Sequence, residues 1–320
     1  MAHLWKSLLT VGTLALTSIS PNGQSPFSLD NLVDPIPAIN QVLRPKNITL
    51  TEAKKITSPY SSSNISILVH DRSSSDVRFG SGFYVNQEGI FITANHIVNE
   101  SDNPDMTLYT LSFSSDNKPE LHKSHILKRF VEYDVAFGKT DSPIKHHVAE
   151  SKLSSRVPNL GDVLIGCYLE YPSLKNHDLK ITPISPIISR YESPAAGLNL
   201  SYSKEKNTLE IELKSEKLDY TCIGRAGDSL WKSKYYDDSP GIILKDVVLG
   251  KITALEAFPA LIKSEKGNSG SAVRNYLGEV EAIIIGKDMS GRLAFLVPAR
   301  ISRILLLQYE REKNIKKEQF

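Results

Sequence analysis

An all-β fold of sandwich or barrel type, finished by one C-terminal helix, is what this sequence predicts. Short runs of β-branched, aromatic and aliphatic residues recur from Ile65 onward, separated by Ser, Asn, Asp, Gly and Pro; that is the punctuation of strands joined by turns. Helical patterns do not alternate with these runs, so repeating β-α-β units are disfavoured. One helical spacing, Ile301, Ile304, Leu305 and Tyr309, stands near the C-terminus.

The 320 residues suffice for one large domain or two modest ones with a real core. Hydrophobic residues make up 40% and charged residues 23%, ordinary for a globular chain, and a net charge of +2 is too small to point to nucleic acid or an anionic membrane surface. No Cys/His cluster has metal-ligand spacing and no GxxxxGK[ST] loop occurs, so neither metal nor other cofactor is expected.

Taken in order, residues 1–20, "MAHLWKSLLTVGTLALTSIS", place one lysine, Lys6, before the uncharged run Ser7 to Ile19. That length suits the core of a signal peptide and is short for a bilayer span. Export, secreted or periplasmic, is the expectation, with a retained N-terminal helix as the alternative. Residues 21–57 carry Pro21, Pro26, Pro35, Pro37 and Pro45 among polar residues and read as an irregular leader. The runs "ISILV", "GSGFYV", "IFITA", "MTLYTLSF" and "DVAFG" follow, then "GDVLIGCY", "LKITPISPII", "TLEIEL", "GIILKDVVL", "SAV", "VEAIIIG" and "LAFLV". "GDVLIGCY" is apolar on both faces, as a strand closing a barrel would be. Tyr171 to Ser239 is richer in polar and turn residues and reads as loops and a hairpin inserted between strands. The helix is expected to start near Ala299, and residues 311–320 to form a solvated, charged tail.

Cys167 and Cys222 are the only cysteines. A bridge between them would close a loop of about 55 residues and add about 4 kcal/mol on chain-entropy grounds. Two buried free thiols are the other option, and spacing does not choose between them.

Three residues stand out chemically. Ser269 sits in Gly267-Asn268-Ser269-Gly270, either a flexible corner or a turn whose amides face a developing negative charge. A serine hydroxyl needs a base to become a nucleophile. Among eight histidines, His96 ends the strand-like "GIFITANHIV", a rigid mount; His122 and His125 on a polar strand, and His146 and His147 beside Lys145, are expected to face solvent. Asp134 stands directly before Val135, Ala136 and Phe137, where a carboxylate is costly to bury unless paired. It would orient the base, or simply accept a backbone N–H. The chain order His96, Asp134, Ser269 fits two β-barrels, the first carrying base and orienter, the second the nucleophile. It disfavours both the subtilisin order and the α/β-hydrolase order.

"GSGFYVNQEGIFITANHIV", "YDVAFGK" and "GNSGSAV" resemble the three catalytic signatures of chymotrypsin-like (trypsin-fold) serine proteases, in the HtrA-like and glutamyl-endopeptidase-like branches. "GDVLIGCYLEYP" is similar to the strand opening the second barrel there, and "LAFLVPARISRIL" to the final strand and helix. The resemblance spans about Ile65 to Leu307. It implies two antiparallel six-stranded barrels, about 58–150 and 151–300, within a protease domain of about 58–310. It also implies Ser269 as nucleophile, His96 as general base then acid, Asp134 as orienter, and the N–H groups of Gly267 and Ser269 as oxyanion hole. Protein or peptide substrates follow.

Departures from the family pattern shape further expectations. Asn268 stands where digestive trypsins have an aspartate, and no Ile-Val-Gly-Gly activation sequence is present, so activity without cleavage at a defined activation site is expected. About 20 residues follow Ala299, too few for the PDZ domain usual in HtrA-like enzymes, so PDZ-mediated assembly is not expected. "EAIIIGKD" lacks the substrate-binding histidine of glutamyl endopeptidases. Ile284 and Gly286 would then favour an apolar or small residue before the cut, whereas Lys263 at the pocket base would favour an acidic one. Competing with the endopeptidase reading are a catalytically inactive binding protein on the same fold and an esterase on the same three residues.

Overall fold

The structure, a computed structural model, describes residues 48–318 apart from 74–76, 100, 115–117, 160, 171–179, 186–187, 194–197, 204–207, 214–217, 227–256, 266 and 288–292. The expected signal peptide, the leader up to residue 47 and the run "GIILKDVVL" lie outside the described residues. The first described element is a helix, α1 (Leu50–Thr57), where an irregular leader was expected. Its cause is local. Thr49 Oγ1 accepts from Glu52 N at 3.2 Å and Thr49 N donates to the Glu52 carboxylate at 2.7 Å. This reciprocal capping satisfies two otherwise orphaned donors. Ala53, on the buried face of α1, packs against Val163 and Ile165.

Barrel 1 comprises β1 (Asn64–Asp71), β2 (Val77–Tyr84), β3 (Ile90–Ala94), β4 (Met106–Phe113), β5 (Pro119–Phe130) and β6 (Val135–Thr140), closed in the order β1-β2-β3-β6-β5-β4. A one-turn helix, α2 (Asn95–Val98), follows β3 directly. Barrel 2 comprises β7 (Val163–Glu170), β12 (Leu218–Ala226), β13 (Phe258–Leu261), β14 (Ala272–Arg274), β15 (Val280–Lys287) and β16 (Leu293–Pro298), closed in the order β12-β13-β16-β15-β14-β7. As expected for a strand with two apolar faces, β7 pairs on both sides, with β12 and β14. The final helix, α3 (Ala299–Glu318), starts at the expected residue. Two closed six-stranded antiparallel barrels followed by a C-terminal helix make this a trypsin-like fold.

Besides the cluster under α1, side-chain alternation builds three cores among the described residues. Ile65, Ile67, Val69, Tyr84, Phe91 and Ala136 fill barrel 1. Leu164, Tyr168, Val273, Ala282, Ile284 and Leu296 fill barrel 2. The opposite faces of the same strands, including Phe83, Ile92, Val135 and Phe137 from the first barrel and Ile283, Ile285, Phe295 and Val297 from the second, share one continuous cluster with Ile301 of α3. The barrels are therefore cemented along the strands that carry the candidate residues.

Several expectations need correction. Between β7 and β12 the insertion holds a four-stranded antiparallel meander, β8 (Lys180–Ser185), β9 (Ile188–Ser193), β10 (Leu198–Ser203) and β11 (Thr208–Leu213), more sheet than the expected hairpin. β12 belongs to the barrel and not to the insertion. Cys167 and Cys222 are both free and buried. They lie on adjacent strands, but Cys222 is paired with Gly166 and Cys167 with Thr221. Cross-strand partners share a face, so the two thiols point to opposite faces and no bridge can form. The Cys167 thiol accepts from Asn64 Nδ2 at 3.2 Å, while burial pushes the Cys222 thiol up to about 11.

His122 and His146 are buried rather than solvent-facing; both approach one oxygen of Glu120, at 3.3 and 3.1 Å. Burial lowers the pKa of His122. His125 is exposed, as expected, 2.6 Å from Asp141. His70, fully buried in β1, is pushed down to about 4, chiefly by desolvation, with Asp71 opposing and Arg72 assisting. A histidine held neutral by the fold takes up its proton more readily once unfolded. Its contribution is thus complete above about pH 6.5 and is lost as pH falls towards 4. We expect up to about 3 kcal/mol of acid destabilisation from this residue. Urea unfolding of wild type and His70→Gln between pH 7.5 and 4 should show a distinctly shallower slope in the variant; parallel slopes would remove His70 as the cause.

Candidate active site

His96 is the second residue of α2, two positions beyond the end of β3, and α2 is stapled to barrel 1 by Asn95 N donating to Asp134 O at 2.9 Å. Asp134 caps a single 3-10 turn (Val131–Tyr133) in the left-handed conformation, φ 53°, immediately before β6. Because Ala94 pairs with Val135 across β3 and β6, the residues just beyond these strand ends meet. Asp134 Oδ1 accepts from His96 N at 2.8 Å, and Oδ2 lies 2.7 Å from His96 Nδ1. An ionised carboxylate only accepts, so it fixes the imidazole proton on Nδ1 and leaves Nε2 as a free base. Asp134 is buried at 1% exposure while His96 keeps 17%. The pair is oriented from below and accessible from above.

The turn bearing Ser269 leads into β14. Two left-handed glycines shape it, Gly267 at φ 97° and Gly270 at φ 90°. Asn268 N donates to Glu265 O at 3.1 Å, Ser271 N to Asn268 O at 3.0 Å, and Gly270 N to Ile284 O at 2.6 Å. Barrel 1 completes the attachment. Ser81 N in β2 donates to Ser269 O at 2.9 Å, and Ser81 Oγ to Gly267 O at 2.6 Å. Thr93 Oγ1 in β3 donates to Ser81 O at 2.7 Å. The serine turn is therefore fastened beside Thr93, three residues before His96, at the same edge of barrel 1. Among the described residues, no hydrogen bond joins Ser269 Oγ to His96, and the N–H groups of Gly267 and Ser269 have no acceptor. Amides without an internal acceptor are one requirement of an oxyanion hole.

Behind the turn, Arg274 is wholly buried. It lies 3.8 Å over the Tyr60 ring and donates to Gly278 O at 2.9 Å and Ser151 Oγ at 3.0 Å. Burial lowers its pKa to about 10. It ties the connection between the barrels to the strand that follows Ser269. Sequence reasoning passed over Arg274 because arginines are seldom fully buried. Ser81 carried a signal, its place between Gly80 and Gly82, which lie within β2 and do not form a turn, but nothing to indicate its partner.

Of the expected specificity residues, Ile284 turns its side chain into the core. Ile284 is fully buried inside barrel 2, and Ile283 and Ile285 face the junction between the barrels. Gly286 is buried at a bulge opposite Phe295. Lys263 is half exposed with Nζ 3.1 Å from Glu265, and its carbonyl accepts from the Tyr168 hydroxyl at 3.1 Å. The preference proposed from Ile284 loses its basis, because period-2 alternation turns that side chain into the core. The ammonium of Lys263 already has a carboxylate partner. Among the described residues no group of three or more His, Cys, Asp or Glu side chains is placed to hold a metal ion.

No family model matches the chain, and no curated protein matches its sequence. Among solved structures it is similar to Deg5, at 12% identity and a TM-score of 0.49 over 80% of this chain and 91% of that one. It is also similar to the active form of the Rv3671c protease from M. tuberculosis, at 11% identity and a TM-score of 0.48 over 79% and 82%. Likenesses so distant say nothing of substrate or activity; the trypsin-like fold stands on the two closed barrels.

Proposed function

We propose that this protein is an exported serine endopeptidase that cleaves peptide bonds through an acyl-enzyme. The observation that carries the reading is the doubly bonded His96–Asp134 pair, set at the barrel edge where Ser81 fastens the Ser269 turn. Ser269 Oγ attacks the scissile carbonyl carbon as His96 Nε2 takes its proton, and Asp134 balances the imidazolium. The carbonyl oxygen, now negative, is met by the N–H groups of Gly267 and Ser269. His96 returns the proton to the leaving amine, and water repeats the sequence to release the acid. Export rests on the apolar run between Ser7 and Ile19 after Lys6.

A fluorophosphonate probe tests both parts. The full-length chain, expressed in a secreting host, should be labelled at Ser269 and should digest casein. The labelled species should begin beyond residue 20. Ser269→Ala should take up no label and lose at least about 10⁴-fold in casein turnover. Absence of labelling in folded wild type would overturn the catalytic reading, and a labelled species still starting at Met1 would overturn export.

A further inference from the structure

We infer that the Ser81 hydroxyl positions the oxyanion hole, an inference that rests on the proteolytic reading above. Ser81 belongs to barrel 1, yet it grips the catalytic turn of barrel 2 at two points. Its N–H holds the Ser269 carbonyl at 2.9 Å and its Oγ holds the Gly267 carbonyl at 2.6 Å. It is itself held, since its own carbonyl accepts from Thr93 Oγ1 at 2.7 Å, and only 5% of it is exposed.

Peptide planarity makes the grip consequential. The plane of Gly267–Asn268 is pinned at its oxygen by Ser81 Oγ and at its N–H by Glu265 O, at 3.1 Å. The next plane, Asn268–Ser269, is pinned at its oxygen by Ser271 N, at 3.0 Å. These two planes fix the direction of the Ser269 N–H. The Gly267 N–H lies on the preceding plane and can turn relative to them only about the Gly267 backbone.

Packing does not restrain that rotation. A Cβ built on Gly267 would meet nothing within 4 Å, and glycine has the widest backbone freedom of any residue. Gly270 is the contrast. A Cβ there would collide with the Ser81 carbonyl and lie 2.6 Å from Thr93 Oγ1, so close packing surrounds Gly270 in addition to the bond from its N–H to Ile284 O. What hydrogen bonding supplies is a fixed Gly267–Asn268 plane against which the Gly267 N–H is set, and Ser81 Oγ is the side chain that bonds that carbonyl among the described residues. Ser81 touches neither substrate nor reacting atoms in this scheme. It is a positioning residue.

Ser81→Ala removes the hydroxyl bond and leaves the backbone bond to Ser269, so barrel docking is retained. We expect the second-order rate of fluorophosphonate labelling at Ser269 to fall by about 10-fold to 100-fold, short of the loss of a direct oxyanion donor. The urea unfolding midpoint should fall only by the small amount that the loss of one hydrogen bond entails. Ser81→Thr, which keeps a hydroxyl at the same carbon, should restore labelling to within about threefold. If Ser81→Ala proves unstable, Ser81→Cys, close in size but a weak donor, carries the same expectation. Labelling of Ser81→Ala or Ser81→Cys within about twofold of a reactive wild type would overturn the positioning role and leave the proteolytic reading intact. A wild type that takes no label would sink both.

Discussion

Asp134→Asn should lower turnover about 10⁴-fold while leaving the fold undisturbed. Asparagine is among the few residues that tolerate the left-handed backbone found at this position, φ 53°. Its single carbonyl oxygen can still accept the His96 backbone N–H that Oδ1 accepts at 2.8 Å. What changes is the atom facing Nδ1. There the carboxylate oxygen at 2.7 Å gives way to an amide that donates. The imidazole must answer by moving its proton to Nε2, and a protonated Nε2 cannot receive the proton of Ser269. A thermal midpoint near wild type, combined with fluorophosphonate labelling slowed by several powers of ten, is the expected pair of results. Labelling within about tenfold of wild type would show that Asp134 holds backbone only. Asp134→Ala separates the effects further, since alanine in the left-handed region adds about 1–2 kcal/mol of instability to the lost orientation.

The second large effect belongs to Gly270→Ala. At φ 90° an L side chain is strained whatever its surroundings, and here there is also no room. The new methyl group would run into the carbonyl of Ser81 and the hydroxyl of Thr93, two members of the chain of hydrogen bonds that joins the barrels. Neither can retreat cheaply, because one is strand backbone and the other is bonded to it. We expect a loss of at least about 3 kcal/mol in urea unfolding, with labelling at Ser269 abolished. Gly161→Ala is the control. Its φ of 80° is also left-handed, but its added Cβ would meet nothing within 4 Å, so only the backbone cost of about 1–2 kcal/mol should appear. Equal losses at the two positions would show that the barrel contact adds nothing.

The candidate site was legible where chemistry follows from short-range pattern. His96 and Asp134 stand at the ends of apolar strands, and Ser269 between two glycines, so sequence alone could nominate all three. Elements that depend on partners far away were not legible. β5, "PELHKSHILKRF", was legible only as a polar strand; it lacks the apolar rhythm of its neighbours, and nothing local told that His122 would be turned inward. The faces of Cys167 and Cys222 are decided by the register of β7 on β12, and a shift of one residue would have reversed the outcome. Ile284 looked like a pocket wall until the alternation of β15 was anchored by its neighbours. Ser81 and Gly267 lie 186 positions apart, and no local spacing can announce a bond of that range.

That long reach also gives the fold a temporal order. The ribosome completes β2 and β3 long before residue 269 emerges, so Ser81 at first has no carbonyls to grip, and His96 with Asp134 form an assembled base without a hydroxyl to act on. On the proposed reading, hydrolytic competence arrives only once the Ser269 turn of the second barrel has been made. A stalled or truncated product, however well its first barrel has folded, carries none of it into its surroundings.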